Sequence, residues 1–212
     1  MATNTIKLNT VVLTLLVVTA TELLGALIIS RLAGSPLFWL AILRLAQSGA
    51  IVWIVTRQEN GLAVIGWGLN TWPEGLKKGA VWSMAFGLAA ACAMLVIYTL
   101  GRNPLLLVRS PLPAANPELA MFFLTGGFIA PVAEELCFRG ILYTYFRRWG
   151  IVLALTASTA IFVALHATHG LPVTQIVGGI VFAIAYEISR NLMVPITIHV
   201  LGNLAIFTLS LI

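Results

Sequence analysis

The sequence predicts an all-α, polytopic transmembrane bundle of about seven helices, within a range of six to eight. Composition is the first observation behind that prediction. Of 212 residues, 60% are hydrophobic and only 9% charged, and the mean hydropathy of +1.01 lies far outside the soluble globular range. The second is segmentation: apolar runs near spanning length alternate with stretches rich in Gly, Pro and basic residues. The third is where the cations fall. Lys7, Arg57, Lys77, Lys78, Arg147, Arg148 and Arg190 occupy alternate loops on one side, and only Arg31, Arg102 and Arg109 occupy the other.

The elements follow in order. Residues 10–30 form the first span; the run exceeds a signal-peptide core and no convincing small-residue cleavage site follows, so it is expected to be retained. Gly34-Ser35-Pro36 breaks the chain, and 37–56 is the second span. Residues 57–78 read as a loop with a surface-lying piece, because Gly61, Gly66, Gly68 and Pro73 punctuate it while Trp67 and Trp72 suit a membrane–water interface. The third span is 79–100. The four prolines between Arg102 and Pro117 mark an exposed loop. Residues 118–145 form the longest helix, with a bend expected near Gly126, Gly127 and Pro131. Shorter spans follow at 150–167, 173–188 and 192–211.

The chain is expected to be one integral membrane domain over residues 1–212. The basic loops place the N-terminus in the cytoplasm and the C-terminus outside, by the positive-inside rule. Cys92 and Cys137 show neither metal nor redox spacing and are expected to be packing residues. No basic run with interleaved aromatics is present, which leaves nucleic-acid binding without support. The lipid bilayer is the expected surrounding.

Function is sought among polar groups in apolar helices, since charges there are costly unless paired, hydrated or used. All seven acidic residues are Glu, and two of them, Glu134 and Glu135, are neighbours inside the fourth span. Glu135 and Arg139 lie four apart on one helical face and are expected to form an ion pair. Glu134 points about 100° away and is left for another partner. The fifth span places Phe162 and His166 on one face, with His169 three residues on. The seventh does the same with His199 and Asn203. Each set alone is as readily interhelical glue. Together, three helices bring a carboxylate, two imidazoles and a carboxamide, the parts for activating water and stabilising an oxyanion. No serine sits in a nucleophile-elbow context, and the zinc motif His-Glu-x-x-His is absent. Glu22 and Arg44, in the first two spans, are expected to pair across them. Gly178-Gly179 allows close helix packing.

Glu134-Glu135-Leu-Cys-Phe-Arg139, Phe162-Val-Ala-Leu-His166 and His199-Val-Leu-Gly-Asn203 match in order the EExxxR, FxxxH and HxxxN motifs. On these residues the chain resembles the CAAX prenyl endopeptidase and bacteriocin-processing (abortive-infection) family, over a core of about 118–205. The resemblance implies a glutamate-dependent intramembrane endopeptidase that cuts a membrane-associated peptide or protein. Glu134 and His166 would activate the water, and His199 and Asn203 would stabilise the oxyanion. Arg139 and Glu135 would orient the first glutamate, with Phe162 packed beside the site. No cofactor is expected. A zinc-dependent protease with Glu134, His166 and His199 as ligands is one alternative, and a non-enzymatic immunity or binding protein of the same ancestry is another. An ion pathway is disfavoured, since no internal repeat is present. Small size and short loops fit a bacterial inner (cytoplasmic) membrane.

Overall fold

The computed structural model describes residues 5–166 and 172–212. His169 lies outside the described residues. The described chain is helical, with no strand. Its helices are α1 (Leu8–Ile28), α2 (Pro36–Thr56), α3 (Trp72–Thr99), α4 (Asn116–Trp149), α5 (Ile151–Leu165), α6 (Val173–Ser189) and α7 (Met193–Leu209). Each apolar run of the sequence becomes one helix, with ends shifted by a few residues. The long apolar helices α1, α2, α3 and α4 meet the length and hydropathy of a membrane span, whereas α5, α6 and α7 are shorter.

One boundary differs by more than fraying. The third helix starts at Trp72, not at 79, so the piece expected to lie on the surface is split. Residues Gly61–Ile65 and Leu69–Thr71 form 3-10 turns, and 72–78 are the first two turns of α3. Pro73 was read as a breaker. In the first helical turn proline costs no hydrogen bond, because the N–H it lacks has no intrahelical acceptor there. Pro36 and Pro117 open α2 and α4 in the same way.

Helix α4 is the axis of the molecule. Every residue of Leu136–Tyr143 is buried. Around it lies an apolar core that includes Ile51, Val55, Ile65, Leu136, Ile141, Tyr143, Ala183 and Leu192. Helix α2 packs on its 125–135 half and α5 on its 136–143 half, while α7 packs on α3, α6 and α4. Large apolar side chains on the outer faces of α1 and α3, among them Leu16, Leu23, Leu88 and Leu95, are exposed. A surface of that kind suits hydrocarbon rather than water. Cys137 is buried, as expected of a packing residue, but Cys92 is exposed on α3.

Helix α4 is not uniform. Thr125–Ile129, at the glycine pair expected to bend, and Leu136–Tyr143 are π-helical. In both segments a side chain supplies a hydrogen bond to a backbone carbonyl. Asn203 Nδ2 donates to Gly126 O at 2.8 Å, and Thr144 Oγ1 donates to Arg139 O at 3.1 Å.

The polar ends sort as the charge pattern predicts. Lys7 pairs with Glu59 at 2.7 Å, Arg148 donates to the Ile6 carbonyl, and Glu187 collects Arg147 at 3.0 Å and Arg190 at 2.6 Å. At this end Gly66, in the left-handed region with φ 67°, lies against the α6–α7 turn. A Cβ there would sit 2.2 Å from the Arg190 carbonyl oxygen, so both backbone angle and space require glycine. At the other end Ser35 donates to Glu118 at 2.9 Å and the Ser110 N–H to Ser210 at 2.9 Å.

Gly79 sets the approach of α3 to α7: a Cβ would lie 2.5 Å from Thr197 Cβ. Gly79→Val forces the helices apart and is expected to cost about 1–3 kcal/mol. A lowered thermal midpoint of the detergent-solubilised protein measures it, with Gly87→Val, at an open position, as the neutral control.

Candidate active site

Helix α4 turns Glu135 and Arg139 inward together because they are four residues apart. Both side chains are fully buried, and Arg139 Nη1 donates to Glu135 Oε1 at 2.8 Å. The second arm, Nη2, reaches the Gly179 carbonyl of α6 at 3.1 Å. The guanidinium also lies 5.0 Å from the centroid of the Phe162 ring and 5.2 Å from that of Phe182, within cation–π range. The expected ion pair is present, and its setting spans α4, α5 and α6.

The same carboxylate oxygen has a second donor. His199 Nδ1 lies 2.9 Å from Glu135 Oε1. A carboxylate that accepts from arginine takes a hydrogen from the imidazole as well, so Nδ1–H points at Glu135. The Phe182 ring stacks on His199 at 4.6 Å and 24° and holds the ring plane. Nε2 is thereby aimed the other way, 3.7 Å from Glu134 Oε2.

His166 reaches the same oxygen from α5. It is the C-cap of that helix, and its Nδ1 lies 2.7 Å from the Phe162 carbonyl. A carbonyl oxygen only accepts, so Nδ1 carries the hydrogen. Nε2 then faces Glu134 Oε2 at 3.5 Å. Phe162 lies 4.4 Å from the His166 ring and 6.1 Å from the His199 ring, packed between the two imidazoles and against Phe138 at 5.0 Å.

Three acceptor atoms thus converge: Glu134 Oε2 and, with both imidazoles neutral, the Nε2 lone pairs of His166 and His199. Their separations of 3.5 and 3.7 Å exceed a direct hydrogen bond. The arrangement suits a water that donates to two of them, with a carboxylate at hand to take a proton. Among the described residues no group of three or more His, Cys, Asp or Glu side chains has metal-site spacing. Glu134 is mostly buried, and His166 is the more open of the two histidines.

Glu134, Glu135, Arg139, Phe162, His166 and His199 therefore lie together. Asn203 does so differently, since its amide nitrogen is committed to Gly126 O on α4. The contacts of Gly179 and Phe182 lay outside the motif reading. The signal for them was the Gly178-Gly179 pair, with Phe182 three residues on along the same face of α6.

A second polar set lies where α1 meets α2. Arg44 pairs with Glu22, as expected, and donates to Gln47 Oε1 at 2.8 Å. Gln47, almost fully buried, donates to Thr21 Oγ1 at 2.8 Å and to Glu22 Oε1 at 2.9 Å.

Fold and site together define an all-helical protein with membrane-length apolar helices and a buried carboxylate–imidazole cluster. Residues 116–205 match the family model of the Rce1-like type II CAAX prenyl endopeptidases, which are intramembrane proteases. The match covers less than half of the chain, and all three motifs fall inside it. No curated protein and no solved structure matches the chain.

The geometry separates structural from chemical roles. Arg139→Ala takes the arginine away from a fully buried carboxylate and is expected to destabilise the protein by about 3–5 kcal/mol. Glu134→Gln, which makes no close ion pair, is expected to cost under about 1 kcal/mol. Thermal unfolding of both variants in detergent measures the difference.

Proposed function

We propose that this protein is a glutamate-dependent intramembrane endopeptidase that hydrolyses a peptide bond in a membrane-associated peptide or protein. The observation that carries this reading is the convergence of two imidazole Nε2 atoms on Glu134 Oε2, at 3.5 and 3.7 Å. The Rce1-like family match over 116–205 supports the reaction class.

Glu134 and His166 hold the water and Glu134 takes its proton as oxygen attacks the carbonyl carbon. The C–O bond forms, the carbonyl π pair moves to oxygen, and His199 and Asn203 stabilise that oxyanion, Asn203 through the second N–H of the amide whose first is on the Gly126 carbonyl. His199 contributes only in its imidazolium form, which carries on Nε2 one proton more than the neutral ring described above, taken up from solvent before the attack, and Glu135 on Nδ1 balances that charge. The Glu134 proton then passes to the leaving amine as the C–N bond breaks. Arg139 fixes Glu135 and, through it, the ring of His199. Phe162 keeps both imidazoles in place.

In this reading residues 1–212 form one membrane domain, α5, α6 and α7 cross together with the four longer helices, and the basic end faces the cytoplasm of a bacterial inner membrane. Two imidazoles and a carboxylate are a donor set that zinc takes, but Glu134, His166 and His199 do not have metal-site spacing here, so a zinc form is the outcome that the chelation test sets against this reading.

Glu134→Ala is expected to lower cleavage by at least about 10²-fold while the protein still inserts and folds. Mapping new peptide termini in membranes that express the wild type or the variant reads this out. Cleavage sites common to both would overturn the proposal. Activity of the purified enzyme that persists through chelation supports the metal-free form; loss of stoichiometric zinc together with activity replaces it with the zinc form.

A further inference from the structure

At the basic end, the first turns of α3 and the last turn of α6 enclose a groove of about 350 Å³, lined by Lys77, Lys78, Val81, Trp82, Ile188 and Ser189. The candidate active site does not use it. Its two levels differ in chemistry. Lys77 and Lys78 form the rim and are exposed. Val81, one turn or about 6 Å further along α3 from Lys77, and Ile188, on the last turn of α6, present apolar side chains to the surroundings.

The charge at the rim is only partly compensated. Lys78 shares its ammonium with Glu74 at 2.6 Å, whereas Lys77 has no hydrogen-bond or ion-pair partner among the described residues. Glu187, the nearest acidic residue on α6, already accepts from Tyr143, Arg147 and Arg190. The groove walls are also held in register. Gly75 and Gly79 let α3 approach Met193 and Thr197 of α7, and Trp82 packs against the cluster that contains Phe182.

Two lysines beside exposed apolar side chains and a tryptophan match an amphiphile at the membrane interface. We propose that this groove binds the headgroup of an anionic phospholipid, with its phosphate on Lys77 and Lys78 and its first acyl carbons against Val81 and Ile188. The lipid then rests on Trp82, which packs against the apolar cluster that contains Phe182, the ring stacked on His199. The groove is thereby joined to the wall of the candidate active site.

The test is lipid retention by the delipidated full chain in mixed micelles, read by native mass spectrometry. The probes are phosphatidylglycerol and phosphatidylcholine with matched acyl chains. The wild type is expected to retain one phosphatidylglycerol in preference to phosphatidylcholine. The Lys77→Gln/Lys78→Gln pair is expected to lower that retention about tenfold, and Arg102→Gln/Arg109→Gln, at the opposite end, to leave it unchanged. Equal retention of the two lipids, or equal loss in both double variants, would overturn the site. Displacement of the lipid by millimolar inorganic phosphate would assign the rim to free phosphate and overturn it too. Lipid retention is read without proteolysis, so either outcome is independent of the protease reading.

Discussion

A fully buried carboxylate needs partners, and Glu135 finds them on two helices. Arg139 comes from its own helix and His199 from α7, both on Oε1. Arg139 in turn reaches α6 through the Gly179 carbonyl. This one charge cluster joins α4, α6 and α7 at a point where apolar packing alone would leave their rotation free. Apolar side chains of similar volume could match it in stability. What they could not do is choose a direction for an imidazole. With Nδ1–H committed to Glu135, His199 has one nitrogen left, and it faces Glu134.

Adjacent glutamates thus have opposite conditions from a turn of about 100°. Glu135 points into the core, where every neighbour is fixed. Glu134 points toward α5 and meets two imidazole nitrogens at distances too long for a closed hydrogen bond. The aromatic residues serve both sides. Phe162 and Phe182 cover the Arg139 guanidinium, and the same two rings set the planes of His166 and His199. The dry support and the more open acceptor set are therefore built from shared side chains.

Much of this was legible before any coordinates, for identifiable reasons. Backbone polar groups have no partners in hydrocarbon, so each long apolar run had to be a helix. Glu135–Arg139 followed from helical spacing, and it persists although Leu136–Tyr143 is π-helical. Glu22–Arg44 followed from the cost of isolated charge. The start of α3 lies earlier than expected because Pro73 punctuates the sequence like a loop residue, and only the packing of Gly75 and Gly79 on Met193 and Thr197 shows otherwise. The Nδ1 bond of His199 was not legible at all. Spacing within one helix says which residues share a face, but not which face of another helix they meet. Asn203 shows the same limit: its place on the His199 face was predictable, its bond to the Gly126 carbonyl was not.

Depth is where helix lengths add to the motifs. Counted back from Arg147, Glu134 lies about 20 Å from the basic end at 1.5 Å per residue. Helix α5 runs back antiparallel from that end and stops at Leu165 after 15 residues, about 22 Å. His166 thus caps the helix at nearly the level of Glu134, rather than facing it from mid-helix. A hydrocarbon core is about 30 Å thick, so α5 falls roughly 8 Å short of it. A bilayer thins and hydrates around short helices, and the histidine at this short end is the more open of the two that face Glu134.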